Sequence, residues 1–279
     1  MRKRLLFCLL VLTTSTTTFF TSCHRSDRDE DTDLNSATDM SYGESEWNDI
    51  YTQLDEVAAV LADVNRTIAP PSTLVCATVT VNPPLPSTVF PKTVTIDFGT
   101  VNCMGPDGKN RRGQLIAVFS GKYRDSLTVI TINTNGYYVN DNRITGTKTI
   151  TNRGHISGIM TFSVVVQNGM IMRPDGKTMT WNSTRTRRWI AGESTLGIVS
   201  DDVYEITGTA SGTGFKGNSF TVTITSPLTI AMNCRWITKG TLNLQPANLY
   251  ERIVDFGSGT CDDQATVTIN GSTYPITMP

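Results

Sequence analysis

From residue 73 to residue 279 the chain alternates β-branched residues with Thr or Ser. Stretches such as "ATVTV", "TVTIDF", "SLTVITIN", "TGTKTIT", "MTFSVVV", "SFTVTIT" and "ATVTIN" all follow this period of two. Such a period puts successive side chains on opposite faces of an extended backbone. Between the stretches stand turn formers: Asn135-Gly136, Arg153-Gly154, Asn168-Gly169, "RPDGK" and Asn270-Gly271. Asn-Gly and Asp-Gly pairs supply the positive φ that tight hairpins need. The expected fold class is therefore all-β, an antiparallel, hairpin-rich sandwich or long meander of roughly a dozen strands or more. Thr on the outward positions keeps one face wet without losing strand geometry.

The chain also repeats itself. "DFGTVNC" begins at Asp97 and "DFGSGTC" at Asp255. Cys76 and Cys234 each lie 21 positions before those aspartates, so the two copies superpose without a gap at an offset of 158. A second echo pairs "ITGT" at 144 with "ITGT" at 206, followed by "RWIAG" and "RWITKG". Related hairpin units, each burying one face against its neighbours and forming one domain or two lobes, account for such repeats.

Cys76, Cys103, Cys234 and Cys261 are an even set, and their equal spacing within each copy favours two disulfides, Cys76–Cys103 and Cys234–Cys261. A zinc site would call for C-x-x-C spacing or histidine ligands, and neither is there. Within "TVTIDF", Val94, Ile96 and Phe98 share one face and Asp97 takes the other. The Asp-Phe-Gly is read as structural: Phe anchors the strand end, Gly allows the turn, and Asp accepts backbone N–H bonds. A kinase-type role needs a Gly-rich phosphate loop and a catalytic loop, and the sequence has neither.

Ahead of the β region, Trp47, Ile50, Tyr51, Leu54, Val57, Ala58, Leu61 and Val64 recur at helical spacing. They predict one amphipathic helix over 45–68, with Ser41 and Glu44 as a capping box and "APP" at 69–71 as its stop. The stripe needs a partner, so the helix is expected to pack on the β domain.

The N-terminus gives the address. "MRKRLLFCLLVL" is a basic cluster and a short apolar run, the layout of an export signal over 1–22. The small residues leading into Cys23 resemble the lipobox of bacterial lipoproteins. That resemblance implies cleavage before Cys23 and acylation of its thiol and new N-terminus. Acyl chains contribute about 0.8 kcal/mol per buried methylene, which makes such an anchor effectively permanent. Residues 24–49 carry nine acidic and two basic residues, so 23–44 is expected to be a flexible acidic tether. "SDRDED" after the anchor resembles the export signal of Bacteroidota surface lipoproteins, which implies an outer-membrane location, at the cell surface or facing the periplasm. The tripeptide "DSL" at 125–127 is similar to the O-glycosylation acceptor of the same group, which would place a sugar on Ser126.

Candidate chemistry is sparse. The two histidines, His24 and His155, lie in the tether and in a turn, which removes most nucleophile–base and His-metal arrangements. Carboxylate catalysis would fall to Asp201, Asp202 and Glu205, or to Asp262 and Asp263. Calcium at Asp255, Asp262 and Asp263 lacks a recognisable loop, so neither metal nor cofactor is expected. In "TMTWNSTRTRRWI", Trp181, Arg185, Arg187 and Trp189 fall on one face. Two guanidinium groups make a poor dry core, and the set suits sugar rings or anionic groups, so these four are the candidate ligand site. Beyond the acidic tail the chain carries a mild net charge, which argues against nucleic acid. The expected function is a lipid-anchored, non-catalytic binding module for a glycan or anionic ligand. The alternatives are a structural or adhesin-like subunit with protein partners, and a carboxylate hydrolase.

Overall fold

A computed structural model describes residues 31–62, 74–195 and 198–279. Among the described residues one α-helix, α1 (Asn35–Ala62), precedes the strands. These are β1 (Thr78–Asn82), β2 (Lys92–Asp97), β3 (Cys103–Met104), β4 (Asn110–Phe119), β5 (Val129–Val139), β6 (Asn142–Ile156) and β7 (Ile159–Met172). They continue as β8 (Thr178–Ala191), β9 (Val203–Thr213), β10 (Ser219–Ala231), β11 (Lys239–Pro246), β12 (Arg252–Ser258), β13 (Gln264–Ile269) and β14 (Ser272–Thr277). Among the described residues all fourteen strands join one antiparallel sheet, ordered as in the chain, with β3 pairing only to β4. The meander is the alternative that holds. Among the described residues there is no second sheet, and one continuous apolar core runs from α1 to β14.

Register explains how the two faces separate. One row of paired residues reads Thr93, Val118, Thr131, Thr149, Val165, Thr184, Thr209, Thr223 from β2 to β10. Every member faces solvent at least in part. The next row, Val94, Ala117, Ile132, Lys148, Val166, Ser183, Ala210, Val222, is buried throughout. A one-residue slip would exchange these rows, so the burial pattern holds the register. The two "ITGT" segments place Gly146 and Gly208 at positive φ of 140° and 123° beside breaks in register, where bulges bend a sheet.

The bent sheet curls round α1. The helix and its lead-in meet Arg111 on β4, Lys148 on β6, Arg185 on β8, Tyr204 on β9 and Arg252 on β12, through side chains throughout and for Lys148 also through the Trp47 carbonyl. The helix begins at Asn35 rather than 45, so residues 35–44 are not a flexible tether; 63–68 lie outside the described residues. Asp33, and not Ser41, meets the first orphan donor: its Oδ1 accepts the N–H of Asn35 at 2.7 Å. Arg252, fully buried, clamps the lead-in through Asp31 (Nη2–Oδ1 2.6 Å). Earlier helix formation follows from this anchoring, because isolated periodicity before Trp47 is weak and the sheet supplies the partners.

The expected apolar stripe is buried from Trp47 to Leu61, Val64 lying outside the described residues, yet burial does not stop there. Glu44, Glu46, Gln53 and Asp55 are also at most 6% exposed. Gly43 explains the close approach to β8: a Cβ there would lie 2.5 Å from the Met179 Cε and 2.9 Å from the Trp181 ring.

Candidate functional site

Trp181, Arg185, Arg187 and Trp189 do share one face of β8, but it is the inner one. They are 1%, 4%, 3% and 4% exposed, so they do not form an open ligand surface. The helix supplies partners for the buried guanidinium groups, although Arg185 Nε and Nη1 and Arg187 Nε have no hydrogen-bond partner among the described residues. Glu44 Oε2 accepts from Arg185 Nη2 at 2.6 Å. Arg187 lies between the rings of Tyr51 and Tyr204, with Asp55 close enough to act on it electrostatically. The Trp189 indole donates to Asp202 Oδ1 at 3.1 Å. These groups are core, held by partners up to 141 positions away in sequence.

The carboxylate candidates do not converge. Asp201 is exposed in a short 3-10 turn (Val199–Asp201) and accepts from Thr195 Oγ1. Asp202 points inward, while Glu205 pairs with Arg188 on the outer face at 3.0 Å. Asp262 and Asp263 accept from the backbone and side chain of Gln264, and Asp255 accepts the Gly257 N–H at 2.8 Å. Among the described residues no cluster of His, Cys, Asp and Glu could hold a metal ion. His155 is exposed and meets Glu193 at 2.7 Å. Asp97 accepts the Gly99 N–H at 2.7 Å and Phe98 is buried, so both Asp-Phe-Gly copies close a turn as the sequence suggests. The disulfides are Cys76–Cys103 and Cys234–Cys261, with Cα atoms 6.1 and 5.8 Å apart. Ser126 is exposed in the β4–β5 turn, and Cys23 lies outside the described residues.

A different place combines the properties of a site. A cleft of about 240 Å³ opens beside α1, opposite its apolar stripe. One wall is the helix, with Ser41, Ser45, Asn48 and Thr52 at helical spacing and Asp49 and Gln53 alongside. The facing wall is the end of β10 and its connection to β11: Ile230, Met232, Asn233, Cys234, Arg235, Trp236 and Ile237. Asp107, Lys109, Phe256, Met278 and Pro279 complete the lining.

The walls are braced. The Cys234–Cys261 bridge ties the 232–238 connection to the loop after β12. Met232 N–H donates to Asp202 O at 2.9 Å, and Arg235 Nη1 donates to Asp107 O at 3.2 Å. Arg111 holds both Asp49 and Asp107, each at 2.5 Å. Burial works against ionised Asp107, but its bonds to Arg111 outweigh this and hold it below the usual carboxylate range. Lys109 pairs with Glu46 at 3.2 Å; burial pushes that carboxyl up.

Three polar atoms of lining residues, Ser41 Oγ, Gln53 Oε1 and Trp236 Nε1, have no hydrogen-bond partner among the described residues, and all three are closed off from solvent, as are unpartnered atoms away from the cleft such as Tyr137 Oη and Arg185 Nε. A buried polar atom left unsatisfied costs about 1–3 kcal/mol. Reading the sequence for its apolar stripe passed over these residues. The available signal was the polar run 41, 45, 48, 52 on the opposite side of the same helix. Compared with known proteins, the chain matches no family model, and no curated protein or solved structure is significantly similar to it.

Proposed function

We propose that this protein is an exported, lipid-anchored, non-catalytic binding module whose ligand occupies the cleft between α1 and the β10–β11 connection. The observation that carries this reading is the cleft itself, with the polar side of α1 facing Met232, Trp236, Ile237 and Phe256. Pockets that bind small molecules combine apolar lining with a few placed polar groups. Against catalysis stands the state of its carboxylates. Both Asp49 and Asp107 are held by one guanidinium, and hydrolysis by a carboxylate pair needs one of them free as a proton donor. The anchor rests on Cys23 and the basic-apolar segment before it.

Two measurements test the reading. A thermal-shift screen of the full chain against neutral sugars, sugar acids, sulfate and dipeptides should give a shift that Ser45→Trp, which fills the cleft, abolishes. The ligand should be recovered unchanged after prolonged incubation; turnover, or shifts indifferent to Ser45→Trp, would overturn the site. Cys23→Ala should move the protein from the membrane to the soluble fraction, and membrane retention would remove the anchor.

A further inference from the structure

The two sequence repeats differ in how they are covered, and the difference leaves an edge open. β2 and β12 match at the offset of 158, and β1 and β11 pair with them in the same register. Val79 and Val81 stand opposite Ile96 and Val94, as Leu242 and Leu244 stand opposite Val254 and Arg252. β10 covers the other side of β11, and Leu242 and Leu244 are fully buried. β1 ends the sheet with no strand beyond it among the described residues, and Val79 and Val81 stay half-buried. We infer that a second copy of this chain supplies the missing strand, β1 pairing antiparallel with β1 about a two-fold axis at Thr80.

The two edges of the sheet are built differently. Hydrogen-bond direction alternates along a strand, and the bond from Phe98 N–H to Gly113 O fixes its phase on β2. Thr78, Thr80 and Asn82 therefore bond to β2, while the N–H and C=O of Val79 and Val81 point away from the sheet. On β14 the bond from Met278 N–H to Asp263 O fixes the phase, and Pro275 takes the middle outward position, where it removes the donor. Proline and charge guard an edge against pairing, and β1, Thr-Val-Thr-Val-Asn, carries neither.

β1 also resembles the strand that covers its counterpart. Residues 77–81 read Ala-Thr-Val-Thr-Val and residues 220–224 of β10 read Phe-Thr-Val-Thr-Ile, so β1 can do for β1 what β10 does for β11. Pairing about Thr80 joins Val79 of each copy to Val81 of the other and sets opposite ends of the two strands side by side. Both ends are apolar and exposed. Val75, Val101 and Met104, beside the Cys76–Cys103 bridge at the start of β1, are 59%, 74% and 65% exposed. Pro84, Pro86 and Val89 are exposed beyond its finish. The second repeat has Asn233, Gly259 and Asp262 in place of the first three, so the fold does not itself call for apolar residues there, and an interface does.

Sedimentation velocity of the full chain in detergent tests this, together with oxidative cross-linking read on non-reducing gels. The wild type should sediment as a dimer, and Thr80→Lys, which sets like charges opposite each other, as a monomer. Val81→Pro, which removes an outward donor, should do the same, and near-UV circular dichroism checks that both variants are folded. Thr80→Cys should link to its own counterpart, because facing residues of a non-hydrogen-bonded pair lie about 4.5 Å apart between Cα atoms. Thr78→Cys faces Asn82 of the other copy and should not link. A monomeric wild type, a dimer indifferent to both edge changes, or linkage by Thr78→Cys as readily as by Thr80→Cys overturns the pairing. None of these outcomes touches the cleft reading, which the ligand screen decides.

Discussion

Arg187 on β8 carries its guanidinium 3.5 Å from the ring centre of Tyr51 on α1, and Tyr204 closes the other side at 3.6 Å. A cation fully enclosed by protein is thus stacked between two aromatic faces, each of negative quadrupole. Met232 Sδ is the one hydrogen-bond partner recorded for it among the described residues, at 3.7 Å. The stack couples the helix to the sheet at the centre of the fold.

That arrangement predicts a large effect of truncation. Arg187→Ala leaves a cavity between two rings and removes the cation facing buried Asp55, so stability should fall by about 3–5 kcal/mol. Arg187→Met, which keeps the volume, should cost less. Urea midpoints of the two variants check the order, and equal midpoints would mean the charge itself is what matters.

Asp202 and Lys148 predict an unusual pH profile. Burial pushes the Asp202 carboxyl up to about 7, helped by Asp55 and Asp201 and opposed by the Trp189 N–H. Its contribution is fully present below the unfolded value of 3.8 and is lost as pH rises through about 7. Burial and Arg187 push the Lys148 ammonium down to about 7, against the pull of Glu44 and Asp49. Its contribution is fully present above 10.5 and is lost as pH falls through about 7. From these two groups stability should pass through a minimum near neutrality, and Asp202→Asn should flatten the acid side. Denaturation midpoints at pH 5, 7 and 9 decide it.

The two disulfides should behave alike in stability and differently at the cleft. Each closes a sequence separation of 27, so removing either should cost about 3–4 kcal/mol in the chain-entropy picture. Only Cys234–Cys261 braces a cleft wall. Hydrogen exchange over 232–238 should therefore quicken in Cys234→Ser/Cys261→Ser and stay unchanged in Cys76→Ser/Cys103→Ser.

Gly43 has no room for a side chain. Gly43→Val should force α1 away from Met179 and Trp181 and cost about 1–3 kcal/mol from overpacking. A midpoint equal to that of the wild type would show that the helix is free to shift.

The pattern of alternation from residue 73 onward determined the β class, the hairpins and which residues share a face, because a strand's side-chain period is a local property. Equal cysteine spacing likewise pointed to the pairing, and the Asp-Phe-Gly turn was readable because Asp97 and Asp255 act within two residues of themselves. Local periodicity says nothing of which face turns inward when both carry unusual groups. Trp181, Arg185 and Arg187 looked fit for a ligand until Glu44 and Tyr51, more than a hundred residues earlier, were placed against them. The same holds for the start of α1, which is set by Arg252 gripping Asp31, and for the cleft, which joins residue 41 to residue 236. Curling of the sheet round the helix decided these features, since long-range pairing of buried charges and the gap left beside a polar helix stripe exist only once the chain has closed on itself.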